Sequence, residues 1–289
     1  MEVIEEREAL VDACDQARGR GATVGLVPTM GALHDGHRAL IREARQRNGF
    51  VVVSIFVNPL QFGEGEDFET YPRDLDRDVA VCTEEGVEVV FAPEPEEMYP
   101  GEPHVTVDPG PVGDILEGAT RPGHFRGVCT VVAKLFGLTG RCEAYFGEKD
   151  AQQVFLVARM MRDLDMPVYL SRVPTVREPD GLALSSRNRY LSSEERRAAT
   201  CLHRALALPA EMVEKGERDA AAMRGAMEVE IETEPLARLD YATIVDEGTF
   251  LELETVDPMS PSRSVVAAWI GKTRLIDTMA LVPVMAENP

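Results

Sequence analysis

Two histidines three residues apart, His34 and His37, close the run Pro28-Thr29-Met30-Gly31-Ala32-Leu33-His34-Asp35-Gly36-His37. Imidazole N–H groups suit phosphoryl oxygens that gain charge as a phosphorus–oxygen bond breaks. Gly31 and Gly36 let the backbone approach a ligand closely, and free amides at a helix start attract phosphate. Three other segments carry complementary groups. Phe56-Val57-Asn58-Pro59-Leu60-Gln61-Phe62 offers the neutral amides of Asn58 and Gln61. Gly147-Glu148-Lys149-Asp150-Ala151-Gln152-Gln153 supplies a cation at Lys149 and another amide at Gln153. Leu184-Ser185-Ser186-Arg187-Asn188-Arg189 sets two hydroxyls beside a guanidinium that can bridge two phosphate oxygens. No Walker A sequence is present, which disfavours γ-phosphoryl transfer. No Ser/His/Asp set is evident either. The four segments point to a nucleotide polyphosphate held by cations and N–H donors.

Such groups need strand ends and helix starts to aim them, and the apolar pattern predicts these. Thr23–Val27 reads as a buried strand and Phe50–Phe56 as an apolar one, and Val87–Phe91, Ala144–Phe146 and Val168–Arg172 also read as strands. His37–Asn48, Asp74–Glu85, Phe125–Leu138 and Ala151–Arg162 read as amphipathic helices, and the Pro-rich stretch from Pro93 to Pro111 as loop. Apolar strands alternating with helices predict a parallel sheet covered on both faces. The first, second and third segments then lie at strand carboxyl ends, where open α/β sheets bind ligands. After Pro174 the pattern changes. Ser192 with Glu195 signals a capping box for a helix reaching about Ala207, and a second helix spans Asp219–Ile231. Asp240–Val245, Ser264–Ile270 and Thr273–Ala280 read as strands, the last two joined by a hairpin at Gly271-Lys272. The expected fold class is α/β: a Rossmann-like parallel-sheet N-terminal domain over residues 1–175, with a smaller α+β C-terminal domain over 176–289.

Composition narrows the function. The 289 residues hold 50 acidic against 30 basic side chains, a net charge of −20, which repels nucleic acid. Any polyanion site must concentrate positive charge against that field, and only four lysines exist to do it, Lys134, Lys149, Lys215 and Lys272. No apolar run approaches the roughly 18 residues of a membrane helix, and the acidic start resembles no signal peptide. A cytoplasmic protein without nucleic-acid or membrane partners is expected. The five cysteines are scattered with no C-x-x-C pair, so free thiols are expected rather than a zinc site or disulfide framework.

Taken together and in order, the motifs resemble the pantoate–β-alanine ligase (pantothenate synthetase) family of the nucleotidyltransferase superfamily. The matching stretches are Pro-Thr-Met-Gly-Ala-Leu-His-x-Gly-His, Phe-Val-Asn-Pro-x-Gln-Phe, Tyr71-Pro72-Arg73, Gly-Glu-Lys-Asp, Val-Pro-Thr-Val-Arg-Glu-x-Asp-Gly over 173–181, and Ser-Ser-Arg-Asn-Arg-Tyr-Leu. The resemblance implies ATP-dependent joining of pantoate to β-alanine through a pantoyl-adenylate, with release of pyrophosphate and then AMP. It also implies Mg²⁺, a homodimer and a C-terminal domain covering the site. Residue by residue it implies that Met30, Gly31, Ala32, Leu33, His34, Asp35, Gly36 and His37 bind ATP, with His37 as proton donor. His34, Lys149, Ser185, Ser186 and Arg187 match phosphate-contacting positions, and Gly147, Glu148, Asp150, Val176 and Leu184 line the rest of the nucleotide site. Gln61 and Gln153 match the residues that hold pantoate, with Asn58 and Tyr71 nearby. Leu60 and Leu184 stand where many relatives have methionine. Arg77, Asp78 and Val81 only partly match positions linked to Mg²⁺, so the metal's protein ligands are not assigned. The chemistry agrees: a carboxylate is a poor acyl donor, so its oxygen must first attack the α-phosphorus, with pyrophosphate leaving on the far side.

Three other readings use the same motifs. A nucleotidyltransferase acting on a different small acceptor, such as a phosphorylated alcohol, would call for more Arg and Lys than Asn58, Gln61 and Gln153 provide. A nucleotide-sensing module would not need both histidines, Lys149 and Arg187. A tRNA-charging enzyme would need a basic surface.

Overall fold

The computed structural model of the chain describes residues 1–282. In chain order the elements are β1 (Glu2–Ile4), α1 (Arg7–Gly19), β2 (Val24–Thr29), α2 (Asp35–Arg47), β3 (Phe50–Ile55), α3 (Leu75–Glu84), β4 (Val89–Phe91), α4 (Pro95–Met98), α5 (Glu117–Thr120), α6 (His124–Thr139), β5 (Cys142–Gly147), α7 (Ala151–Asp163) and β6 (Val168–Val173). There follow α8 (Ser193–Ala198), α9 (Cys201–Glu214), α10 (Ala220–Glu232), β7 (Ala237–Asp246), β8 (Ser262–Ile270) and β9 (Thr273–Val282). Contacts divide the chain into two compact units. One comprises Met1–Glu148 with Leu156–Pro174, the other Lys149–Phe155 with the chain from Thr175 onward.

The first unit is built on a six-stranded sheet in the order β1-β4-β3-β2-β5-β6, with every pairing parallel. Parallel strands need a crossover, and helices supply it. Val27, Val51 and Val53 face one side, where they pack with Leu40, Ile41 and Ala44 of α2 and Val81 and Cys82 of α3. The alternate residues Leu26 and Val52 turn to the other face, on which α1 and α6 pack with β2 and with each other. From β2 the chain steps outward through β3 to β4, then returns to place β5 on β2's opposite flank. The reversal between β2 and β5 is a topological switch point, and the crevice beyond the strands' carboxyl ends there is where open α/β sheets hold ligands.

The second unit has its own core. Strands β7-β8-β9 form an antiparallel sheet, with β8 turning into β9 at Gly271-Lys272 as the hairpin pattern predicts. Leu202, Leu206, Met223, Met227 and Ile231 of α9 and α10 pack on Ile244, Val266, Ala268 and Ile270. The capping box is present: Glu195 N–H donates to Ser192 Oγ at 3.3 Å, and Ser192 N–H to Glu195 Oε2 at 2.8 Å. Its helix is shorter than expected, because α8 stops at Ala198 and α9 starts at Cys201, running past Ala207 and through Pro209. All five cysteines are buried, free thiols, raised to about 11 or 12 chiefly by burial. Among the described residues no helix is long and apolar enough to cross a membrane.

Candidate active site

Everything the first segment does follows from how β2 gives way to α2. The helix starts at Asp35, two residues before the expected His37, and its N-cap is His34. A capping box normally joins a Ser or Thr to a Glu three residues on; here two histidines fill both places. Gly36 N–H donates to His34 Nδ1 at 3.1 Å, and His34 N–H donates to His37 Nδ1 at 3.3 Å. Both Nδ1 atoms are therefore acceptors, which leaves Nε2 as the protonated donor nitrogen of each ring. The rings lie 4.1 Å apart between centroids. The spacing of three is thus both a helix cap and a device that sets two tautomers alike. The amides expected to be free for phosphate are largely engaged: besides those of His34 and Gly36, Gly31 N–H donates to Thr29 Oγ1 and those of Ala32 and Leu33 donate to Asp78.

Gln61 ends the 3₁₀ turn Pro59–Gln61 that follows β3, and it is only 8% exposed. Its amide is oriented by two partners: Oε1 accepts from Asn58 Nδ2 at 3.0 Å, and Nε2 donates to Met30 Sδ at 3.0 Å. Each atom has capacity for one more bond. Asn58 is buried with its own amide fully engaged, donating also to the Gly127 carbonyl and accepting from Leu60 N–H and the Tyr99 hydroxyl. Tyr71 is buried close by, its ring edge-on to Phe62, and Arg73 closes the loop by donating to the carbonyls of Phe68, Glu69 and Tyr71.

A second set of residues, not singled out from the sequence, fixes Gln61 through its backbone. His124 Nδ1 donates to the Gln61 carbonyl at 2.8 Å, and Arg121 Nη2 donates to the same oxygen at 3.2 Å. Arg121 forks onto both oxygens of Glu66, at 2.7 and 2.8 Å, and reaches Glu117 at 3.3 Å. Burial works against ionisation of Glu66, yet the Arg121 bonds and charge prevail and hold its carboxyl below the usual range. Gly127 completes the seat: a Cβ there would fall 2.1 Å from the Leu60 carbonyl oxygen and 2.6 Å from Gln61 N, so α6 packs directly on the turn. A signal existed in the sequence. Glu117, Arg121 and His124 stand at helical spacings of four and three just before an apolar helix.

With Nδ1 donating to Gln61, His124 Nε2 accepts from Arg121 Nη1 at 3.1 Å, so the ring is neutral. Burial, then the Arg121 charge, lowers its pKa from 6.5 to about 4. Below pH 6.5 the unfolded chain takes up a proton that the native site refuses until about pH 4. Stability from this group is therefore present above pH 6.5 and lost as pH falls toward 4, by roughly 3 kcal/mol over the window. Urea unfolding should show the native chain losing roughly 2 kcal/mol more between pH 7 and 4.5 than His124→Asn does. Equal losses in the two proteins would mean that His124 is not held neutral.

Of the remaining predicted residues, Gly147 and Glu148 end the first unit's Met1–Glu148 stretch, and the others belong to the second unit. Lys149 stands in the 3₁₀ turn Glu148–Asp150, two positions past Gly147 at the end of β5, with Asp150 Oδ1 3.7 Å from its Nζ. Gln153, half-buried, lies in the first turn of α7. The structure brings Val176 and Leu184 together, since Leu184 N–H donates to the Val176 carbonyl at 3.0 Å and Arg177 bridges Ala183 beside them. Ser185 caps the 3₁₀ turn Ser186–Tyr190 by accepting from Arg187 N–H at 3.3 Å, and Ser186 is buried. Among the described residues, no group of three or more His, Cys, Asp or Glu could hold a metal ion.

The chain is similar over nearly its whole length to proteins of one family. The family model for pantoate-beta-alanine ligase matches residues 2–280. The chain is 50% identical to the pantothenate synthetase of Moorella thermoacetica over 97% of its own length and 99% of the relative's. It is 54% identical to that of Rubrobacter xylanophilus over 91% and 93%. The crystal structure of pantothenate synthetase from Thermus thermophilus superposes with a TM-score of 0.91 at 48% identity, covering 98% of this chain and all of that one. Pantoate-beta-alanine ligase from Francisella tularensis, complexed with beta-gamma ATP and beta-alanine, superposes with a TM-score of 0.79 at 33% identity over 96% and 97%.

Proposed function

The chain belongs to the pantoate–β-alanine ligase family, and from that premise we propose how its residues carry out the ATP-dependent ligation of pantoate to β-alanine. In the first step a pantoate carboxylate oxygen attacks the α-phosphorus, the bond to the bridging oxygen breaks, and pyrophosphate leaves. In the second the β-alanine amine attacks the acyl carbon of the pantoyl-adenylate, and AMP leaves with the acyl oxygen. Neither step needs a nucleophilic side chain. Both need alignment and donors where charge develops.

The observation that carries the assignment is the pairing, at the switch point, of a His34–His37 capping box with a Gln61 amide held rigid from both ends. Met30 to His37 receive the nucleotide, with the His34 and His37 Nε2–H groups donating hydrogen bonds to phosphoryl oxygens as charge develops there. Gln61 and Gln153 bind the pantoate hydroxyls and carboxylate. Asn58 acts by holding Gln61, and Tyr71 walls the same region. Lys149, Ser185, Ser186 and Arg187 neutralise the departing pyrophosphate, while Gly147, Glu148, Asp150, Val176 and Leu184 line the nucleotide. Mg²⁺ enters as part of the nucleotide substrate, carried by phosphate oxygens and water. The unit from Thr175 onward serves as a lid, and the enzyme works as a cytoplasmic homodimer.

Pantoate with Mg-ATP should support ATP–pyrophosphate exchange in the absence of β-alanine, and adding β-alanine should convert exchange into equal amounts of AMP and pantothenate. Exchange that appears only with β-alanine present would remove the adenylate from the mechanism.

A further inference from the structure

The turn from β2 into α2 adopts a backbone that its sequence does not favour. Gly31 and Ala32 are both left-handed, at φ 80° and 51°, and for alanine that conformation is costly. The buried amides of Ala32 and Leu33 also need acceptors, since an unmet buried N–H is strongly disfavoured. One side chain answers both requirements. Asp78, in the first turns of α3 and 1% exposed, accepts from Ala32 N–H through Oδ2 and from Leu33 N–H through Oδ1, each at 2.8 Å. The contact is tight: a Cβ on Gly31 would lie 2.8 Å from Asp78 Oδ2 and 3.1 Å from Ile55 Cγ2. The loop is therefore held from α3 and β3 together, and His34 follows it directly as the N-cap of α2.

We propose that Asp78 is a positioning residue for the nucleotide step: its carboxyl holds the Gly31–Leu33 turn in its left-handed form and thereby places the His34 and His37 rings. This rests on the reading of Met30 to His37 as the ATP-binding segment. Asp78 acts through the backbone and touches no reacting atom. A carboxyl beside a polyanion would repel it if its oxygens faced the ligand, and here both face loop amides. The identity of the side chain matters for the same reason. Asparagine has the same size but only one acceptor oxygen, so its amide would meet the second loop N–H donor to donor.

The test compares native enzyme, Asp78→Asn and Gly31→Ala in pantothenate formation and in pantoate-dependent ATP–pyrophosphate exchange. Misplacing an aligned group by about 1 Å costs on the order of 10²-fold. Asp78→Asn should lose about that factor in kcat/KM for ATP, with KM for β-alanine within about twofold of native. Gly31→Ala should show the same pattern, since it disturbs the same contact from the other side, and the double variant should lose less than the product of the two. A purely structural role would lower the active fraction and leave every KM unchanged, and that result overturns the proposal. So does native kcat/KM for ATP in folded Asp78→Asn or, if that variant does not fold, in Gly31→Ala. A native chain that makes no pantothenate would instead remove the ligase reading, and this proposal with it.

Discussion

Lys149→Ala is expected to lower turnover about 10²-fold or more while leaving the melting temperature essentially unchanged. The side chain contributes little to the fold. Its only ion pair with a described partner is Asp150 at 3.7 Å, longer than a hydrogen bond, and pairs of that kind are worth well under about 1 kcal/mol. Yet the group is only 18% exposed, and a charge partly withdrawn from water acts more strongly on an anion placed beside it. The other lysines have different surroundings. Lys134 lies over the Tyr99 ring and Lys215 pairs with Glu211, while Lys272 sits in the β8–β9 hairpin. In a chain of net charge −20, the proposed role of Lys149, two residues beyond the end of β5, is to supply the local counter-charge that pyrophosphate needs. One preorganised donor to a developing charge is worth roughly 3 kcal/mol, which sets the size of the loss. Arginine should restore it only in part, because a planar fork does not occupy the place of a compact ammonium. The check is kcat at saturating substrates together with a thermal melt. Near-native turnover at an unchanged melting temperature would place Lys149 away from the phosphates.

What the sequence revealed depended on how far apart the cooperating residues lie along it. β2, β3, β4 and β5 carry apolar runs that read directly as strands, while β6, at the sheet edge, buries only Val168 and Val173; the parallel arrangement followed from the helices between them. β1 and α1 did not stand out. β1 has three residues of which one, Ile4, is buried, so no alternation can show. The inward face of α1 is Leu10, Cys14 and Ala17, correctly spaced but mostly small, and periodicity is weak when small residues form the stripe. Within the Pro93–Pro111 stretch, Pro95 starts the single turn of α4, a position proline favours. At the site, the histidine pair was visible because both members of the capping box lie within four residues. The seat of Gln61 was not, because Arg121, His124 and Gly127 come from about sixty residues downstream and converge only through the packing of α6 on the Pro59–Gln61 turn. Likewise Asp78 lies 45 and 46 residues from the two amides it accepts from.

In the proposed assignment of Gln61 to pantoate, that rigid seat determines what the pocket can reject. Gln61 is held at its carbonyl by His124 and Arg121, at its side-chain oxygen by Asn58 and at its side-chain nitrogen by Met30. An amide so constrained cannot swing to find another partner if a substrate hydroxyl is missing. Its remaining acceptor and donor capacity then goes unmet in a buried place, and the cost falls on the analogue. Sites built around a substrate hydroxyl reject the deoxy compound by about 10⁴-fold, against roughly 10² for a missing methylene in an apolar pocket. Deoxy-pantoate should therefore be a very poor substrate for the native enzyme. Gln61→Leu and Gln153→Leu should each lose most activity on pantoate, and each should discriminate far less between the two acids. Gln61→Leu should also melt lower, since it leaves Asn58 Nδ2 without its Oε1 partner, whereas Gln153→Leu should not. Measuring kcat/KM for both acids in all three proteins separates recognition from stability. If either leucine variant keeps the native preference for the hydroxylated acid, that glutamine supports the fold and does not read the hydroxyl.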